Sequence, residues 1–310
     1  MAPDLQAAPA AQGAAGAGDP GRGDGAGRRR RWRLDLAYDG HGFRGFAAQS
    51  GVPTVAGALA AAIGRAARTP DLPVLVCAGR TDAGVHAAGQ VVHIDLPEAY
   101  DGDLKRAVNR QLSPDIVVHA ARPVPGDFDA RRGATARHYR YLVLSAADPD
   151  PLLAGLAWHV PVPLDLRAMA SATDPLLGEH DFRALCRRVP GRSAAEPIVR
   201  RVISAGWRRV PAPGEDVPAP GEDVPALLRF DIRATSFCHQ MVRSIVAVLV
   251  DAGRGRASAA TVMALLASAS RAGTPQPAPA HGLCLVSVAY GDDRDGGREE
   301  GGLPGQAPRR

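Results

Sequence analysis

Lysine is almost missing from this chain: Lys105 stands alone among 37 basic residues, and the rest are arginine. Such a bias fits genomic composition, yet it also supplies guanidinium groups that fork onto phosphates and stack on bases. Cysteine is scarce, and Cys77, Cys186, Cys238 and Cys284 lie far apart with no C-x-x-C among them. That spacing indicates neither a disulfide framework nor a zinc knuckle and reads each as a small buried apolar residue. Long apolar runs are absent too. The longest aliphatic stretch, Ile245 to Val250, stops at Asp251, far short of the roughly 20 residues that cross a bilayer. Met1 to Gly27 is Ala, Gly and Pro without an apolar core, so a secretory signal is not expected and a cytoplasmic protein without membrane contact is. Net charge is a modest +5 over 310 residues, with 45% hydrophobic and 22% charged. These values describe a globular chain of one or two domains, with an acidic polymer as a reasonable partner. Charge alone leaves DNA, RNA or neither open.

Met1–Arg31 and Gly291–Arg310 offer little to bury, so 1–31 and 291–310 are expected to be disordered tails. The run Arg28–Arg31 reads either as an RNA-touching arm or as a solvated charge cluster. Gly16, Gly18 and Gly21 spell G-x-G-x-x-G, but Pro20 inside it and the lack of a preceding strand make it compositional. The heptad Pro211–Val217 repeats as Pro218–Val224, predicting a lengthened surface hairpin loop over 211–225. Between the tails, Trp32, Leu34, Leu36 and Tyr38 alternate as a strand stopped by Asp39-Gly40. Val55, Leu59, Ile63 and Ala66 then recur at helical spacing behind Thr54 as N-cap. Strands over Val74–Ala78 and Gln90–Leu96, a helix carrying Leu104, Val108 and Leu112, and a strand Ile116–Arg122 complete β-α-β-β-α-β. That order is the ferredoxin-like unit, which leaves one sheet face open for a ligand. The second half predicts strands Arg137–Leu144, Val199–Val210, Leu227–Ala234 and Cys284–Tyr290, with helices Leu164–Ala172, Cys238–Asp251 and Ser258–Ala267. The expected fold class is α+β: two ferredoxin-like (RRM-like) subdomains, 32–136 and 137–290, with mixed or antiparallel sheets forming a central cleft.

The densest polar constellation is Ala78-Gly79-Arg80-Thr81-Asp82-Ala83-Gly84-Val85-His86-Ala87, between two predicted strands. Its glycines permit tight backbone, and Ala83 and Ala87 allow close approach of another surface. By itself, an Asp two residues after an Arg reads first as a structural salt bridge. His86 and His93, with Cys77 nearby in sequence, match no standard metal-ligand spacing and read as hydrogen-bonded histidines.

The whole string, with Gly89-Gln90-Val91-Val92-His93 after it, resembles the signature of the tRNA pseudouridine synthase A family. Supporting segments follow in order: Tyr38-Asp39-Gly40 with Phe43 and Gly45, Phe128-Asp129-Ala130-Arg131, and Arg137-His138-Tyr139-Arg140-Tyr141. Gly178-Glu179-His180-Asp181-Phe182, Met241-Val242-Arg243 and Ala278-Pro279-Ala280-His281-Gly282-Leu283 complete them, so the resemblance spans Trp32 to Tyr290. Departures are Phe46-Ala47 where Trp-Gln is usual, Ala56 where Gln is common, and the extra heptad loop.

The resemblance implies isomerisation of uridine to pseudouridine at positions 38, 39 and 40 of the tRNA anticodon arm, by a homodimer needing no metal or cofactor. Asp82 takes the place of the nucleophile. A carboxylate suits it, being ionised at neutral pH and able to form a covalent intermediate without first losing a proton. Arg80 and Arg243 are expected to orient Asp82 and keep it ionised. Tyr139, from its residues alone a core aromatic, takes the place of the tyrosine that stacks on the target base and helps move a proton from C5. Arg131, Arg132, Arg137 and Arg140 form the basic stretch expected on phosphate; Arg44 and Leu283 complete the expected substrate-binding set. Two other classes fit parts of the sequence. An RNA-binding module would use the same sheets without catalysis but has no need of the Asp82 loop. A metal-independent nucleotide hydrolase with an Asp nucleophile lacks a recognisable phosphate loop.

Overall fold

Alternation builds the first strand, β1 (Arg29–Tyr38), which buries Trp32, Leu34, Leu36 and Tyr38 as the period of two dictates. It opens a computed structural model that describes residues 28–69, 71–187, 193, 196–214, 226–268 and 270–291. Nearly all of both expected tails, and the duplicated heptad beyond Gly214, lie outside the described residues. The chain continues through α1 (Val55–Ala67), β2 (Val76–Cys77), β3 (His86–Pro97), α2 (Leu104–Leu112) and β4 (Ile116–Pro123). It then forms β5 (Ala134–Ser145), β6 (Trp158–Val160), α3 (Leu166–Thr173), β7 (Gly178–Asp181), β8 (Val199–Val210) and β9 (Ala226–Ala234). Finally come α4 (Met241–Gly253), α5 (Ala259–Ser268) and β10 (Leu283–Tyr290). Thr54 caps α1 as its sequence suggests, its hydroxyl accepting the Gly57 N–H.

The architecture is mixed α+β: five helices on one large mixed sheet of order β4-β1-β3-β10-β5-β9-β8-β7, with β2 on β3 and β6 on β5. Neighbours pair antiparallel except β10 with β3 and β5 with β6. Two separate sheets were expected; the structure has one. The join is the short parallel pairing of Cys284 and Leu285 with His86 and Ala87, a contact between distant segments that no local periodicity announces.

Leu34, Leu36, Leu59, Ile63 and Ile94 are wholly buried between the sheet and α1 and α2, each contributing about 1.5–3 kcal/mol relative to exposure. In the second half α4 buries Ile245, Val246, Leu249 and Val250, an apolar helix on all sides and therefore an interior one. It begins at Met241, not at Cys238 as its pattern predicts, because Gln240 adopts left-handed backbone, φ 63°. The outer face of the first half is not open. Arg31 pairs with Asp95, Arg33 and Arg122 share Asp35, and the Arg33 guanidinium lies 4.7 Å over the Tyr290 ring. The open side of the sheet lies instead at its centre, where the loop before β3 meets the segment leading into α4.

Candidate active site

The loop between β2 and β3 is tied at nearly every residue. Ala78 N–H donates to Val91 O at 2.8 Å, and the buried Gln90 amide donates to Gly79 O at 2.7 Å. The Thr81 and Tyr38 hydroxyls share a 2.8 Å hydrogen bond, while Phe46 N–H donates to Thr81 O and Val85 N–H to Asp82 O. Beneath it Gly40 is indispensable: a Cβ there would stand 2.3 Å from Val85 O. Arg137 is buried under the same loop, and its guanidinium donates to the carbonyls of Ala78, Arg131, Ala134 and Thr235. Burial pushes its pKa down. Arg137 lines the cleft, where a phosphate contact was expected, but its guanidinium hydrogen bonds go to main chain.

This scaffold presents the Asp82 carboxylate, partly buried, to a cleft of about 1100 Å³. Arg243 Nη1 donates to Asp82 Oδ2 at 2.9 Å, a charge-assisted bond. Arg243 is itself held by Ala278, whose carbonyl accepts from Nε at 2.7 Å. The next carbonyl, Pro279 O, accepts the Tyr141 hydroxyl at 2.7 Å. So Ala278 fixes Arg243 directly, and Tyr141 steadies the adjoining Pro279. His239 Nε2 lies 3.2 Å from Asp82 Oδ1, a neighbour that the sequence reading missed because it precedes a helix far along the chain. Arg80, expected beside Arg243, makes no side-chain hydrogen bond among the described residues and stands exposed on the cleft wall.

Tyr139 lines the cleft from β5, its ring edge-on to Phe237 at 5.0 Å. Burial pushes its hydroxyl well above the usual phenol range. Arg44, Arg131 and Leu283 also line the cleft. Arg131 is presented by an Asx turn in which Asp129 accepts the N–H groups of Arg131 and Arg132. Arg140 does not join them. It faces the opposite side of β5, directly across from Asp231 on β9 and 3.4 Å from its carboxylate, because residues three apart on a strand point to opposite faces. Among the described residues the lining carries eight arginines against two acids, Asp82 and Glu196.

His86 Nδ1 accepts the Gly40 N–H at 3.1 Å and His93 Nδ1 accepts the Ala130 N–H at 3.0 Å, the hydrogen-bonded roles read from sequence. Asp39, His41 and His86 have ligand-type atoms within 4.8 Å of one another, but the His86 lone pair is committed to Gly40 and its Nε2 faces Gly155 O at 3.2 Å. One cysteine reading is overturned. Cys186 and Cys238 form a disulfide with Cα atoms 5.9 Å apart, a pairing hidden by their separation in the chain. Cys77 and Cys284 are free thiols, both pushed up to about 11 by burial.

Comparison with known proteins shows the family. Residues 172–291 match the family model described as tRNA pseudouridine synthase. A tRNA pseudouridine synthase A of Cutibacterium acnes is 39% identical over 267 residues, covering 86% of this chain and 90% of that protein. Enzymes of the same name from Frankia casuarinae and a Methylobacterium species are 41% and 42% identical, covering 85% and 84% of this chain and 90% and 97% of theirs. With this identity over most of both chains, the protein belongs to the tRNA pseudouridine synthase A family.

Proposed function

We propose that this enzyme isomerises uridine to pseudouridine at positions 38, 39 and 40 of the tRNA anticodon stem-loop, with Asp82 as nucleophile acting on a flipped-out base. One observation carries the reading: the Asp82 carboxylate, clamped by Arg243 at 2.9 Å, sits in a cleft whose described lining carries eight arginines and one other acid. A cleft built only to bind phosphate gains nothing from an acid at its floor, whereas glycosidic isomerisation requires one. Attack by the carboxylate at uracil C6 or ribose C1′ permits the N1–C1′ bond to break. The base then turns, C5 bonds to C1′, the bond from Asp82 to C6 or C1′ breaks to return the carboxylate, and the C5 proton leaves as N1 gains one. Substrate and product have the same atoms, so no co-reactant enters the balance.

The neighbours of Asp82 have corresponding roles. Arg243 keeps the carboxylate oriented as the base displaces water. Tyr139 offers its ring to the flipped base, and its phenol, kept protonated by burial, stands ready to relay the C5 proton. Extruding a paired uridine costs a few kcal/mol, which stacking and phosphate contacts from residues such as Arg44 and Arg131 offset. The strand order β4-β1-β3-β2, all antiparallel, supports a ferredoxin-like unit in the first half of the chain. Mapping pseudouridine in an unmodified tRNA transcript after incubation with the enzyme tests the site assignment. Modification confined to positions 38, 39 and 40 is expected; modification elsewhere in the tRNA contradicts it.

A further inference from the structure

We propose that His239 is a positioning residue for Asp82, fixing the plane of the carboxylate by holding Oδ1 while Arg243 holds Oδ2. The inference rests on the reading of Asp82 as nucleophile. With one clamp, a carboxylate still turns about its Cβ–Cγ bond; two donors on different oxygens stop that rotation. The distances place both in reach: 3.2 Å from His239 Nε2 to Oδ1 and 2.9 Å from Arg243 Nη1 to Oδ2. His239 only donates, so no proton is transferred to or from it.

The main chain at His239 is fixed from both sides. Cys238 is tied to Cys186 by the disulfide, and His239 O accepts the Arg187 N–H at 2.9 Å. The following residue, Gln240, holds a left-handed conformation without a side-chain cap, φ 63° and ψ 8°. A non-glycine residue takes that conformation only where its surroundings impose it, and such sites cluster where geometry serves function. Here it lets one short segment aim His239 at Asp82 and then start the helix that carries Arg243. The imidazole itself is 40% exposed to the cleft, so its removal leaves the core intact.

The test compares His239→Ala, His239→Gln and Asp82→Asn, with kcat and KM measured separately by tritium release from C5-labelled tRNA. His239→Ala is expected to lower kcat about 10- to 100-fold, the scale of a misplaced reacting group, with KM within about threefold. His239→Gln, whose amide reaches as far as Nε2, is expected to recover kcat to within about threefold of wild type. An unchanged kcat in His239→Ala, a change confined to KM, or a loss that glutamine does not repair overturns the proposal. Turnover by Asp82→Asn would instead sink the nucleophile reading beneath it, whatever the histidine variants do.

Discussion

Each oxygen of Asp82 has a neighbour of its own, and the Tyr139 hydroxyl, kept protonated by burial, lies beside Gly79 of the same loop. If that hydroxyl relays the C5 proton, Tyr139→Phe keeps the stacking ring and loses the relay. The expected result is tRNA binding near wild type with kcat lowered about 100-fold; a wild-type kcat restricts Tyr139 to stacking. Arg131 and Arg140 separate just as clearly, since one lines the cleft and the other is paired with Asp231 on the far side of the sheet. Arg131→Ala should weaken tRNA binding and reduce the slope of log K against log salt by about 1, as loss of one phosphate contact does. Arg140→Ala should leave that slope unchanged, and an equal effect of both contradicts the placement. The loop containing Asp82 stands out in the sequence as its densest polar constellation, but its residues alone read first as a structural salt bridge, and only the family resemblance gives the carboxylate a catalytic role. His239 was not legible: its proximity to Asp82 arises only when the sheet closes.

Strands and helices explain why some readings held and others failed. Alternation in β1, β5, β8 and β9 is written in the sequence, as is the helical spacing of α1 and α2. β6 and β7, three and four residues long, are too short to show a period. The same rule of two places Arg137, Tyr139 and Tyr141 on one face of β5 and His138 and Arg140 on the other. Treating 131–140 as a single basic stretch ignored it. Across β5 and β9, Asp231 gathers His138, Arg140 and Arg229. Burial opposes its charge, yet the hydrogen bonds from His138 and Arg229 and the arginine charges outweigh burial and hold its pKa well below the usual carboxylate range. A group whose folded pKa is depressed stabilises the protein above its unfolded pKa, about 3.9, and loses that contribution as pH falls through the folded value. Asp231→Asn should therefore cost about 1–3 kcal/mol in urea unfolding at pH 7. The deficit should shrink as pH drops below about 4, and a deficit independent of pH would assign the loss to packing.

At the scale of the molecule, one sheet runs from β4 to β7 and carries the cleft at its centre, so the two halves of the chain contribute opposite walls. Asp82 comes from the first half; Tyr139, His239, Arg243 and Leu283 come from the second. That division is why composition and local pattern gave the parts without their assembly: the β3–β10 pairing and the Arg243–Asp82 contact join residues more than half the chain apart. Among the described residues no helix is long and apolar enough to cross a membrane. The family resemblance supports a homodimer, so sedimentation should return about twice the 32.2 kDa of one chain; a single-chain mass at working concentration contradicts it. The account as a whole stands on one carboxylate. Tritium release from tRNA labelled at uridine C5, compared between wild type and Asp82→Asn, tests it most directly. Release by the wild type and none by the variant, with both binding tRNA within about tenfold, is the predicted result. Binding without release by the wild type, or release undiminished in Asp82→Asn, would contradict it.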